Sequence, residues 1–233
     1  MSPTRPMLNA GWDDRPADYA ATRDCWLTQR RTLFVQEALR DAPAGARVLE
    51  LGSGVGELLI ALAAARPDLT FVGTEPQQSY VDWSRRAAAE RGLANLTFTA
   101  ALAEDVGSAL PGSSPFDRIL SNDMLHHVPR EEAVLDAAAR VTKPGARWLV
   151  IEPNWINPYV LIGCAVKRGE RNFWPQPFLR EAGPRGWSLE RREYLFLIPP
   201  FVRRAPRFLV RIEQAFERYP GVAGGVALTL VRR

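Results

Sequence analysis

Histidine, cysteine and lysine are scarce in this chain. Each occurs twice: His126 and His127, Cys25 and Cys164, Lys143 and Lys167. Two cysteines cannot build a disulfide framework. No Cys/His cluster has metal-ligand spacing, so no metal is expected. Long apolar runs are also missing. The longest, near Trp155 to Val166, is too short to span a bilayer and contains Asn157 and Pro158. The stretch from Met1 to Asn9 holds Pro3 and Pro6 and lacks the apolar core of a signal peptide, so a cytoplasmic location is expected. There is no internal repeat and no low-complexity segment. What remains, 46% hydrophobic and 24% charged over 233 residues, is enough for one globular domain with a sizeable core.

With so little lysine, the cations are arginines, and they are unevenly placed. From Glu152 onward there are 14 Lys+Arg against 7 Asp+Glu, whereas the first 151 residues carry 16 against 19. A basic C-terminal third is compatible with a nucleic-acid partner. The arginines are dispersed, however, and a solvated surface accounts for them equally well.

The informative stretch is Val48 to Glu57, VLELGSGVGE. Val48, Leu49 and Leu51 form the short apolar run of a buried strand. Gly52, Gly54 and Gly56 follow at alternate positions, and LLIALAAA then reads as a helix. A strand passing through a glycine turn into a helix N-terminus presents backbone N–H groups and a positive dipole end to a nucleotide-like ligand. A dinucleotide fingerprint would need glycine at 57, where Glu57 stands.

A helix pattern runs from Ala17 to about Arg40, with Tyr19, Arg23, Trp26 and Arg30 on one face and Phe34, Val35 and Ala38 on another. After the glycine turn, strands are expected at Thr70 to Glu75, Leu96 to Ala100, Asp117 to Ser121 and, beyond the turn Lys143-Pro144-Gly145, Arg147 to Glu152. Helices are expected to about Ala65, at Gln77 to Arg91 and at Glu131 to Val141. This alternation implies a parallel sheet covered on both faces, with ligand groups just past the carboxyl ends of the strands. Later come a short helix over Gln176 to Ala182, strands at Trp187 to Ile198 and Gly225 to Val231, and a helix over Pro199 to Tyr219.

The ExGxGxG pattern, followed by FDRILSNDMLHHV and KPGARWLVIEP, resembles the class I S-adenosylmethionine (SAM)-dependent methyltransferases over roughly residues 46–155. The resemblance implies an α/β fold: a Rossmann-like three-layer α/β/α sandwich around a mostly parallel seven-stranded sheet with an antiparallel C-terminal strand. An arm and cap helix would occupy residues 1–45 and the SAM-binding domain 46–233, with acceptor-binding or lid segments at 153–183 and 199–220. It also implies SAM as cofactor. Gly52, Ser53 and Gly54 would approach its amino acid tail, and Glu50 would lie beside the tail's ammonium group. Glu75, followed by Pro76, would accept from the ribose hydroxyls, a role that suits a carboxylate. Gln77 would border the adenine, and Asp105 or Glu104 would accept from its amino group. Tyr19 and Arg23, with Trp26, would close over the pocket, Arg23 pairing with the SAM carboxylate; plain packing of this face on the domain is the alternative.

Asn122 would lie near the methyl sulfonium. It begins no NPPY or DPPY sequence, so the likeness to nucleic-acid amide methyltransferases fails and a nucleic-acid partner is not expected. His126 or His127 is a candidate general base; the alternative is a purely structural loop. The expected activity is methyl transfer to an O, N or C nucleophile of a small lipophilic or aromatic molecule. Two alternatives stay open: an acceptor linked to lipid or polysaccharide at a membrane surface, and a SAM-binding protein without turnover. For the Pro199–Tyr219 helix, whose stripe is Phe201, Ala205, Phe208, Ile212, Phe216 and Tyr219, packing onto the core sheet is favoured over peripheral membrane contact. The oligomeric state is not legible.

Overall fold

Along β1 (Arg47–Leu51) successive side chains point to opposite faces. Leu49 and Leu51 join one apolar cluster and Val48 the other. The same division runs through β4 (Phe116–Asn122) and β5 (Thr142–Pro153), where Ile119, Trp148 and Val150 oppose Leu120, Leu149 and Ile151. Strands buried on both faces must be covered by helices on both. The computed structural model, which describes residues 15–110, 112, 114–165 and 173–233, has that three-layer form.

The sheet has seven strands, completed by β2 (Thr70–Glu75), β3 (Leu96–Ala100), β6 (Trp187–Leu195) and β7 (Gly225–Arg232), in the order β3-β2-β1-β4-β5-β7-β6. The first five are parallel, and β7 runs antiparallel between β5 and β6. One face is covered by α2 (Trp26–Ala38), α3 (Glu57–Ala65) and α4 (Gln78–Glu90), through residues such as Val35, Leu59 and Val81. The other is covered by α5 (Val106–Ala109), α6 (Glu131–Arg140) and α8 (Pro175–Ala182). There Trp148 packs edge-on against Trp187 at 5.3 Å between centroids, and its indole N–H donates to Ser121 Oγ at 3.0 Å. Strand order reverses between β1 and β4, which places the ligand crevice beyond their carboxyl ends.

Several expectations are corrected. The helix expected from Ala17 to Arg40 is two, α1 (Pro16–Arg23) and α2, broken at Asp24 and Cys25. Cys25 is extended, and the backbone N–H of Trp26 donates to Val202 O at 2.9 Å, so a tertiary hydrogen bond interrupts the local pattern. The helix expected over Pro199 to Tyr219 shrinks to α9 (Arg207–Phe216), because Pro206 forces Ala205 out of helical geometry. Its apolar stripe does not pack on the sheet: Phe201, Phe208, Ile212, Phe216 and Tyr219 are exposed. A helix not foreseen, α7 (Pro158–Ala165), begins with proline at its first position. The turn Lys143-Pro144-Gly145 lies inside β5 as a register shift against β4. Residues 1–14 of the arm expected within 1–45, residues 166–172 of the 153–183 segment, Pro111 and the side chain of Cys164 lie outside the described residues.

Gly56 shows how tightly the glycine turn is packed. It has φ +76°, and a Cβ there would come within 2.7 Å of the Phe98 ring and 2.9 Å of Ser84 Oγ. Gly56→Ala is therefore expected to destabilise the fold by about 2–4 kcal/mol, combining left-handed backbone strain with overpacking. Denaturant titration measures this; a change within error would show that the turn can relax.

Candidate functional site

The crevice gathers groups that are costly to bury. Glu50, the fourth residue of β1, is 2% exposed, and its Oε2 has no hydrogen-bond partner. Desolvation holds its carboxyl well above the usual range; Glu57 and Glu75 push the same way and Arg23 opposes them. Ser53 Oγ and Asn122 Oδ1 are likewise buried without partners. Leu51 pairs with Ser121, so Gly52 and Asn122 emerge side by side at the switch point.

Glu75 ends β2 and is also buried. Its Oε2 accepts from the Gly54 N–H at 3.0 Å and its Oε1 from the Gln77 N–H at 3.3 Å. Each oxygen keeps further acceptor capacity. Burial raises its pKa to about 7, against the pull of these two N–H groups. Pro76 is exposed, and Gln77 forms the N-cap of α4. Glu104 and Asp105 follow β3, which pairs with β2 up to Glu75↔Ala100. They lie on the turn after β3 and line a groove of about 420 Å³ with Leu110, Phe116 and Arg140.

The three glycines have different reasons. Gly52, at φ +72°, is required by Met124, whose Cγ would lie 2.5 Å from a Cβ. Gly54 faces Tyr19 instead, at 3.6 Å from a Cβ position. Helix α1 thus lies over the turn. Tyr19 meets Tyr80 at 5.6 Å between ring centroids, and Arg23 Nε donates to Glu57 Oε1 at 2.7 Å. Trp26 does not share this face; its indole donates to Glu213 of α9 at 2.9 Å.

The loop after β4 is pinned from β5. Glu152, fully buried, accepts at Oε1 from the Met124 and Leu125 N–H groups at 3.0 and 2.7 Å, and its Oε2 lies 2.7 Å from His126 Nδ1. A carboxylate only accepts, so Nδ1 carries the hydrogen of this contact. His127 stacks beside it at 4.0 Å and is the more exposed of the two.

Sequence reasoning missed Glu152 as a loop anchor, and it missed Arg31. That residue is 4% exposed and donates through Nη2 to Asp123 Oδ2 at 2.7 Å, while its Nε and Nη1 are buried without partners. A signal existed: Arg31 lies four residues before Val35, on the apolar stripe of its helix. Asp123, at φ +50°, has its carboxyl held below the usual range, because Arg31, His126 and Arg23 outweigh its desolvation.

These orphaned atoms test the fit of SAM. A buried carboxylate oxygen and two buried guanidinium N–H groups without partners complement an ammonium and a carboxylate on one small molecule. Glu75 complements a vicinal diol. SAM carries all three, so the residues fit it. Among the described residues, no group of three His, Cys, Asp or Glu side chains could hold a metal ion.

Glu75 also makes stability depend on pH. Its folded pKa is raised to about 7 from 4.5, so its contribution is present below pH 4.5 and is lost as pH rises through 7. The ligand-free protein is expected to melt at a lower temperature at pH about 8 than at pH about 5, and Glu75→Gln is expected to flatten that slope. Scanning calorimetry decides; an unchanged slope in the variant would assign it elsewhere.

Known proteins resemble this chain in sequence and in fold. The methyltransferase domain family matches residues 43–172, more than half of the chain. The ubiquinone biosynthesis O-methyltransferase of Xylella fastidiosa is 36% identical over 107 residues, 46% of this chain and 42% of the relative. The chain therefore matches less than half the length of that relative. The protein of the same name from Pseudomonas aeruginosa is 28% identical over 188 residues, 77% of this chain and 76% of its own. In fold, the magnesium protoporphyrin IX methyltransferase of Synechocystis PCC 6803, solved with bound S-adenosylhomocysteine, superposes with a TM-score of 0.64 at 18% identity, covering 95% of this chain and 96% of that one. The chain belongs to the methyltransferase domain family, as a class I member whose methyl donor is SAM.

Proposed function

We propose that this protein methylates a hydroxyl group of a small lipophilic, aromatic acceptor. The observation that carries the reading is the pair of opposite buried charges with unpartnered atoms, Glu50 and Arg31, beside the Gly52–Gly54 turn. In this reading Arg31 holds the carboxylate of SAM and Glu50 its ammonium, while Glu75 takes the ribose hydroxyls. Ser53 and Asn122 supply further polar contacts near the sulfonium. Tyr19 and Arg23 of α1 cover the bound cofactor. Arg23 acts through its ion pair with Glu57 at the start of α3, a partnership that leaves the cofactor's carboxylate to Arg31. Gln77 borders the adenine, with Glu104 or Asp105 at its amino group.

Bound SAM supplies a methyl group already activated by the sulfonium, so positioning does much of the work. Held by Arg31, Glu50 and Glu75, it would supply that methyl group to the acceptor oxygen, with the thioether as leaving group. His127 receives the hydroxyl proton, and the Glu152–His126 pair fixes the loop that presents it. Hydroxyl chemistry and a lipophilic acceptor are favoured by the relatives' names, which specify O-methylation in ubiquinone biosynthesis. The acceptor lids are assigned to segments 153–183 and 199–220.

Calorimetric titration with S-adenosylhomocysteine tests the reading. Wild-type protein should bind it. Arg31→Ala and Glu75→Ala should each weaken binding about 10- to 100-fold, the scale of hydrogen bonds to charged groups. His127→Ala should keep that affinity and lose turnover. Absence of binding by the wild-type chain would overturn the proposal; equal loss of affinity in all three variants would remove the separate role of His127.

A further inference from the structure

Helix α9 is turned inside out. Its acids face the protein. Glu213 is 1% exposed, and its carboxylate accepts from the Leu197 and Ile198 N–H groups, each at 3.0 Å, as well as from the Trp26 indole. Glu217, one residue past the helix, accepts from the Phe196 N–H at 3.3 Å and pairs with Arg30 at 2.8 Å. The apolar residues are left outside: Phe208, Ile212 and Phe216, spaced four apart and so on one face, are 62%, 44% and 49% exposed. Arg207 and Arg211, also four apart, run as a basic line beside them, and both are exposed. The segment before the helix continues the pattern with Phe201, 75% exposed, followed by the exposed Arg203 and Arg204.

A second apolar helix is fastened to the turn after α9. Asn157 Nδ2 donates to Val222 O at 2.7 Å, and Asn154 Nδ2 donates to Pro220 O and Ala223 O at 2.6 and 2.8 Å, which ties the start of α7 to the turn after α9. Tyr159 and Ile162 of α7 are exposed. Exposed apolar surface of this kind marks a contact site. Among the described residues, Arg203, Arg204, Arg207 and Arg211 have no acidic partner, so the patch keeps an uncompensated positive margin.

We propose that the exposed face of α9 docks this protein on the surface of an anionic lipid bilayer. Charge complementarity selects the occupant. Arginine lines beside a Phe/Ile stripe match an anionic headgroup layer above an apolar interior, the arrangement of interfacial helices. A second copy fits poorly, because a two-fold contact through this face would set the same arginines against one another. Docking would carry the protein as a peripheral contact, since no helix among the described residues is long and apolar enough to cross a membrane. It also sets α2, which Glu213 and Glu217 hold, close to the lipid surface. Entry of a lipophilic acceptor from that side is a corollary that rests on the function proposed above.

Flotation of the full chain with phosphatidylglycerol–phosphatidylcholine vesicles, against phosphatidylcholine alone, tests the docking. Binding is expected only with the anionic lipid, and it should weaken with added salt. Phe208→Ser with Phe216→Ser, and separately Arg207→Glu with Arg211→Glu, should each reduce partitioning about tenfold or more. Circular dichroism should be unchanged, because these side chains are exposed. Failure of the wild-type chain to float, or undiminished flotation of either double variant, would overturn the proposal. So would a wild-type dimer in light scattering that the phenylalanine variant disperses, which would give the face to a second copy. Flotation reads out independently of S-adenosylhomocysteine binding, so failure of one proposal does not imply failure of the other.

Discussion

Charge buried at the carboxyl end of β1 is the constraint on which the rest of the structure depends. A parallel sheet covered on both faces has no room for polar side chains along its length. They collect where the strands end, and here Glu50 lies in the crevice with an unpartnered oxygen. Leaving such groups buried costs more than an ordinary hydrogen bond returns. The fold tolerates this because Arg23 and Arg31 offset part of the field, and because a cationic ligand that bonds to Glu50 would offset the remainder.

Around this cluster the elements are fastened by single buried groups rather than by broad packing. Glu152 fixes the loop after β4 with three hydrogen bonds from one carboxylate. Helix α1 has no buried residue and is held over the glycine turn by Tyr19 and Arg23.

Helix α9 reverses the usual logic of an amphipathic helix for a local reason. Phe196 has φ +64°, and the backbone N–H groups of residues 196–198 turn away from the sheet. Unsatisfied, they would cost more than the exposure of a few apolar side chains. Glu213 and Glu217 satisfy them, so the acidic face turns inward and the phenylalanines face out.

The positions and parallel direction of the first five strands, and Glu50, the glycines and Glu75 at their ends, were determined by the sequence itself. Periodicity, glycine spacing and acids at strand ends are local signals, and alternation of strand and helix leaves few topologies. Three things were decided only by the tertiary structure. Arg31 joined the site because a helix face meets the loop after β4, a pairing that no local pattern encodes. Gly52 proved to make room for Met124, a residue seventy-two positions away. The apolar stripe of α9 turned outward because a distant loop needed hydrogen-bond acceptors. Local propensity acts over one or two helical turns, whereas the hydrogen bonds of a buried loop are completed only when the whole chain has closed around it.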